Sequence, residues 1–173
     1  MASPEASTLL LLARVLDDWL STRVHQTICE ERGLAYEAFA GNDTFEDCGV
    51  FDFGASVEHK KAPLLVETVF ELIDELRRNP PTEDEVGKAR RRYLWGLRTV
   101  RDDPEDTAHL VGSSALFGLP ERIGTMAEQV ARVTPSDIRQ AAQDYLDPSN
   151  AHLTCVGVLN DGLLSDVRSL VGT

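Results

Sequence analysis

Residues 28–41 read ICEERGLAYEAFAG, and this stretch decides how the chain divides between helix and sheet. Its first half, Ile28-Cys29-Glu30-Glu31-Arg32, is a charged cluster suited to the last turn of a helix. Gly33 supplies the stop, because glycine adopts left-handed backbone without steric cost. The second half, Leu34 to Gly41, alternates small and aromatic residues at the two-residue period of a strand. A helix end therefore sits directly beside a strand that carries Tyr36.

Working outward, a helix is expected from near Pro4, with Leu9, Leu12, Val15, Leu16, Trp19 and Leu20 on one face. Ser21 is placed to cap a second helical stretch through Val24, Ile28 and Glu31. Beyond Gly41, the polar turn Asn42-Asp43-Thr44 leads into a strand over 48–57, with Phe51, Phe53, Ala55 and Val57 on one face. A helical period returns over 61–78, carried by Leu65, Val69, Leu72, Ile73 and Leu76. Thr82 and Glu85 form a capping box for a helix reaching about Arg101. Asp103-Pro104 opens the next helix, which Gly118-Leu119-Pro120 ends. A short helix over 122–130 follows. Thr134-Pro135 then starts one that stops near Leu146, and a last strand over 151–158 and a helix over 162–170 close the chain. Strands and helices are segregated, so the expected fold class is α+β. Three strands are few for this many helices. The reading is therefore a single domain, 1–173, that is a fragment of a longer chain, with at least one further strand supplied before Met1 or by a partner.

The totals narrow the function classes. A length of 173 residues, 42% hydrophobic and 27% charged, allows one domain with a substantial core. Seventeen Lys and Arg against 29 Asp and Glu give a net charge of -12, which argues against nucleic-acid binding, since phosphate neutralisation needs a basic face. The apolar run at Leu9 meets Arg14, Asp17 and Asp18, too soon to span a bilayer. With no secretory signal, cytoplasm is favoured over periplasm and the compartment stays open. Cys29, Cys48 and Cys155 have no framework spacing and read as reduced thiols packed like small hydrophobes.

No catalytic constellation emerges. His25, His59, His109 and His152 are scattered, without the local pairs that zinc sites use. Ser113-Ser114 lies within a helix and lacks a strand-to-helix elbow. The sharpest catalytic pattern is Cys29 with His25 four residues earlier, but Glu30 and Glu31 disfavour a thiolate, and a structural thiol is the stronger reading. The arginines between Lys88 and Arg101 follow Glu83, Asp84 and Glu85, as the helix dipole favours, and read as a solvated helix face.

The segment STRVHQTICEERGLAYEAFA, after LLLLARVLDDWL, resembles the second, non-zinc-binding domain of the pitrilysin, insulinase and mitochondrial-processing-peptidase family of zinc metallopeptidases. DCGVFDFGASV is similar to the family's second strand, and PPTEDEVGKARRRYLWGL to its threonine-capped acidic helix start. VTPSDIRQAAQDYLDPSNAHLTCVGV resembles its closing helix and strand, so the resemblance covers nearly the whole chain.

The resemblance implies a processing-peptidase-like half-domain that binds no metal and faces a separate zinc-bearing catalytic domain, in the same chain or in a partner subunit. Zinc and the His-x-x-Glu-His motif belong to that catalytic domain, and the substrate is an extended peptide. A dimer is compatible with the arrangement. The family's second domain offers substrate an arginine and a tyrosine seven positions apart. Tyr36 occupies the tyrosine position and Cys29 the arginine position, where a thiol cannot donate bidentate hydrogen bonds. Arg32 is the nearest cation. The competing readings are an assembly module of the same fold without a role in proteolysis, and Tyr36 as a plain core or edge-strand residue.

Overall fold

Residues 4–45, 48–116, 118, 122–158 and 161–171 are described by the structure, a computed structural model. Helix α1 (Pro4–Leu16) organises the core. Leu11, Leu12, Val15 and Leu16 are all buried, and each fully buried leucine contributes about 2–3 kcal/mol of apolar burial. The helix packs against α3 (Glu83–Thr99), α5 (Arg122–Arg132), α6 (Pro135–Tyr145) and the strand β1 (Ala35–Thr44).

The expected apolar stripe of α1 extends to Trp19 and Leu20, but the helix stops at Leu16 and both side chains are exposed. The cause is competition from polar groups. Asp18 Oδ1 accepts from Arg14 Nη1 at 2.6 Å, and the Asp18 N–H reaches the Thr22 hydroxyl at 3.4 Å. Asp17 turns its carboxylate to the Ala40 N–H in β1, at 3.1 Å. The chain therefore bends at 17–22 instead of winding on.

The next helical stretch is a π-helix, His25–Glu31, entered without a side-chain cap, so Ser21 does not play the expected part. Its wide turns are visible in the Arg32 N–H bond to the Thr27 carbonyl, five residues back. Gly33 ends it with φ +55, and the Leu34 N–H returns to the Ile28 carbonyl at 2.9 Å. That is the glycine stop expected from the sequence.

Strands β1 and β2 (Gly49–Val57) form an antiparallel hairpin. Ala38 faces Ala55, Ala40 faces Phe53 and Asn42 faces Phe51, and this face packs onto the core. Phe39 with Gly54, Gly41 with Asp52 and Asp43 with Val50 make the opposite face. Helices α2 (Ala62–Arg78), α4 (Pro104–Leu116) and α7 (Asp161–Val171) complete the architecture, which is α+β as expected.

The predicted capping box forms, and the expected N-cap at Thr134 proves to be a second one. Thr82 and Glu85 exchange hydrogen bonds at the start of α3, as do Thr134 and Asp137 at α6. Asp103 Oδ1 caps α4 through the Glu105 N–H at 2.8 Å. Helix ends are also satisfied from a distance: Arg90 donates to the Val133 carbonyl after α5 at 2.7 Å, and Arg77 to the Leu146 carbonyl after α6 at 2.7 Å. Leu119 and Pro120, expected to end α4, lie outside the described residues.

The strand expected over 151–158 is not formed. The segment carries no regular structure, and among the described residues it has no ladder partner. A strand is defined by pairing, and alternation alone cannot supply the neighbour. Val156 and Val158 accordingly face solvent, and Cys155 is exposed, as is Cys48; only Cys29 packs against the core.

Candidate functional site

Tyr36 sits at an irregularity in the hairpin. Ala35 pairs with Val57 and Ala38 with Ala55, so β1 spends three steps where β2 spends two. The extra residue is a bulge that leaves both Tyr36 and Glu37 opposite Ser56. Bulges re-aim side chains, and Tyr36 is 98% exposed. Among the described residues it is no part of the core, which removes the reading of a core tyrosine and leaves that of a strand residue open.

Directly behind the bulge, the π-helix brings Cys29 to β1. The thiol accepts a hydrogen bond from the Ala38 backbone N–H. Together with Asp17 on Ala40, it occupies successive outward-pointing N–H groups on the edge of β1 away from β2. Burial, then the Glu30 carboxylate, pushes the Cys29 thiol up, and the Ala38 N–H only partly offsets this. The group is therefore a neutral thiol near pH 7. His25 does not activate it, because its Nε2 lies 3.3 Å from Glu30 Oε1, the partner five residues on that π-helical winding brings near. The Cys29–His25 pattern in the sequence is thus not a catalytic pair.

Arg32 is turned away from Tyr36. Its Nη1 donates to Thr68 Oγ1 at 2.6 Å and its Nη2 pairs with Glu71, both on α2. Thr68 is fully buried and its hydroxyl also donates to the Leu64 carbonyl at 2.6 Å. The guanidinium therefore locks the end of the π-helix onto α2. Lys61 does similar work at the strand entrance, donating from Nζ to the Gly33 carbonyl at 2.9 Å.

A second anchor holds the π-helix from its other end. Arg23 Nε meets Glu85 Oε1 at 2.7 Å and Nη2 meets Oε2 at 3.2 Å, a bidentate pair. Burial works against the Glu85 charge, but hydrogen bonds from Arg23 and Thr82 outweigh it and hold the carboxyl down at about 2. One carboxylate thus serves the α3 cap and the π-helix together. Sequence reasoning placed Glu85 in the cap but had no signal for Arg23, 62 positions away.

The four histidines stand on separate elements, and among the described residues no three His, Cys, Asp or Glu side chains gather as a metal site. Ser114 is buried and its hydroxyl donates to the Leu110 carbonyl at 2.7 Å, a helix-internal bond. No helix among the described residues is long and apolar enough to cross a membrane.

A segregated α+β fold and a bulged strand bearing an exposed tyrosine frame the comparison with known proteins. The family model described as the peptidase M16 inactive domain matches residues 1–93, and the chain belongs to that family. An uncharacterized zinc protease of Streptomyces coelicolor is 27% identical over 162 residues, 93% of this chain and 35% of that protein. An uncharacterized zinc protease of Rickettsia bellii is 31% identical over 145 residues, 80% of this chain and 34% of that one. The chain thus spans about a third of the length of these curated relatives. Among solved structures, a peptidase M16 inactive domain from Pseudomonas fluorescens superposes with a TM-score of 0.75 at 22% identity, over 84% of this chain and 35% of that one. A protease from Helicobacter pylori gives 0.74 at 19% identity, over 83% of this chain and 35% of that one. These two show the fold.

Proposed function

We propose that this domain forms the substrate-enclosing wall opposite a zinc-bearing catalytic domain of a metallopeptidase, with Tyr36 holding the backbone of an extended peptide. The catalytic domain, in the same chain or in a partner subunit, supplies the zinc and the general base. The observation that carries this reading is the exposure of Tyr36, 98%, on a bulge braced from behind. A large aromatic that is no part of the core, on a strand fixed by Arg32, Lys61 and Arg23, is positioned to meet something else. Its phenolic hydroxyl offers one donor and one acceptor to a peptide group. Family membership and the two zinc-protease relatives support the same assignment.

In the peptidase assembled from this domain and its zinc-bearing counterpart, Tyr36→Ala lowers kcat/KM for peptide hydrolysis by about tenfold or more, the scale of one lost hydrogen bond with its ring contact. Zinc content stays unchanged. Unaltered kcat/KM overturns the role of Tyr36.

A second reading has its own observation. Cys29 stands where the resemblance places an arginine, and its thiol is spent on the Ala38 N–H. A domain that has given up this cation suits an assembly module of the same fold that has left proteolysis. Full hydrolysis by Tyr36→Ala, with assembly lost when the domain is removed, selects that reading.

A further inference from the structure

The two outer edges of the hairpin meet different surroundings. In an antiparallel pair, opposite residues turn their backbone groups either toward each other or both outward, in alternation. The Ala38 and Ala40 N–H groups point away from β2, onto Cys29 and Asp17, so the outer edge of β1 is sealed at these two rungs. Their opposites, Ala55 and Phe53, and Phe51 two residues further, therefore turn their N–H and C=O groups away from β1. Among the described residues no hydrogen bond reaches this outer edge of β2, and no third strand lies along it. Phe51 and Phe53, with ring centroids 5.5 Å apart, are only half-buried beside it.

The same chain holds a strand-like segment that pairs with nothing. Residues 151–158 read AHLTCVGV and have no ladder partner among the described residues. Val156 is 98% exposed, Val158 90% and Leu153 43%. The segment contains no acid, lysine or arginine and a single histidine, so it brings almost no charge to a contact made by a chain of net charge -12. Short, β-rich, uncharged segments without proline are the ones that add to an unpaired sheet edge. A donor strand and an acceptor edge thus stand in one chain without being joined.

We propose that a second copy of this chain completes the sheet: residues 151–158 of each copy lie along the outer edge of β2 in the other, closing a two-fold pair. The further strand expected from the sequence is then supplied by an identical partner. Neither the wall nor Tyr36 enters this pairing. Val156 and Val158 share one face of the added strand, and Phe51 and Phe53 share one face of β2, so the valines come to lie beside the half-buried rings. Eight extended residues span roughly 27 Å, and at a sheet thickness of about 10 Å each added strand covers on the order of 270 Å² on each copy. Two reciprocal strands then bury about 1,100 Å² in total, the low end of specific interfaces. The resulting dimer is weak and closed, with a dissociation constant on the order of tens of micromolar.

Sedimentation velocity of the 173-residue chain from about 1 to about 200 µM, at about 0.15 M salt to screen the repulsion between acidic copies, is expected to show the mass rise from one chain to two. Val156→Lys with Val158→Lys alters only exposed side chains of the donor, and is expected to raise the dissociation constant at least about tenfold although the added charge lessens that repulsion. Ala55→Pro removes an outward N–H of the acceptor edge without taking a bond from the β1–β2 ladder, and is expected to do the same. An equal mixture of the two variants is expected to recover part of the association, because one donor and one acceptor remain intact between them. Leu116→Lys, at an exposed apolar site on α4, leaves the dissociation constant within about twofold. Circular dichroism and urea midpoints establish that the variants are folded; if Ala55→Pro is not, the donor variant and the Leu116 control decide alone. A single-chain mass at every concentration overturns the proposal. So does a dimer that the donor variant leaves intact, one that Leu116→Lys weakens equally, or a mixture of folded variants that recovers nothing. Mass that grows past two chains without a plateau contradicts the closed pair.

Discussion

Arg32 reaches from the end of the π-helix to the hydroxyl of Thr68, 36 positions later, and binds it at 2.6 Å. This bond settles what the nearest cation to Tyr36 is for. The guanidinium also pairs with Glu71, so its donors are committed to α2 and the strand that follows is fixed in place. Arg32 is a brace between the π-helix and α2.

If Arg32 is a brace, its loss is a stability effect. Arg32→Ala is expected to destabilise the fold by about 1.5–3 kcal/mol, the range for a charge-assisted hydrogen bond to a buried partner. Arg32→Lys recovers part of this, since a point charge reaches one of the two acceptors. Urea unfolding checks the size.

The Arg23–Glu85 pair makes stability depend on pH in a defined direction. The folded-state carboxyl is held at about 2 against an ordinary 4.5, so the native state keeps Glu85 charged where the unfolded chain protonates it. The contribution is fully present above the ordinary carboxyl range and is lost as pH falls through about 2. It amounts to at most about 3 kcal/mol, less for the part of the pair open to solvent. Glu85→Gln keeps a capping-box side chain and removes the charge. The wild-type chain is expected to exceed it in stability near neutral pH, and the difference to close on acidification, measured by denaturant titration at stepped pH.

Cys29 is expected to be the least reactive of the three thiols. Burial and Glu30 raise it, whereas Cys48 and Cys155 are exposed. Alkylation by iodoacetamide at neutral pH, followed by peptide mass spectrometry, should modify Cys48 and Cys155 at least about tenfold faster. Preferential labelling of Cys29 would restore the case for a thiol nucleophile.

Phe39 and Gly54 should behave as a coupled pair. The ring covers a glycine that otherwise exposes backbone, a known remedy for glycine in strands. Phe39→Ala is expected to cost about 1 kcal/mol in the native background and less beside Gly54→Ala, where the methyl has already displaced the ring. A double-mutant cycle with no coupling contradicts the packing described.

The parts of this structure that sequence reveals are those decided locally. Thr82 with Glu85 and Thr134 with Asp137 are three residues apart, and a cap needs no tertiary help. Gly33 is legible for the same reason. Trp19 and Leu20 mislead because the helix loses to a contact between Asp17 and Ala40 that no window of sequence contains. The π-helix has no residue signature, so the Cys29–His25 spacing is judged on the wrong period. In 151–158 the alternation is legible and the partner is not. The site divides the same way: family resemblance finds Tyr36, while the bulge that exposes it depends on cross-strand register.

The central claim is that this chain presents a peptide-binding wall and performs no bond cleavage of its own. The most direct test incubates the purified 173-residue chain with one equivalent of zinc and a fluorogenic peptide, then measures metal retained after gel filtration and hydrolysis over hours. The account predicts no stoichiometric zinc and no turnover above buffer. One retained zinc per chain together with turnover would contradict it.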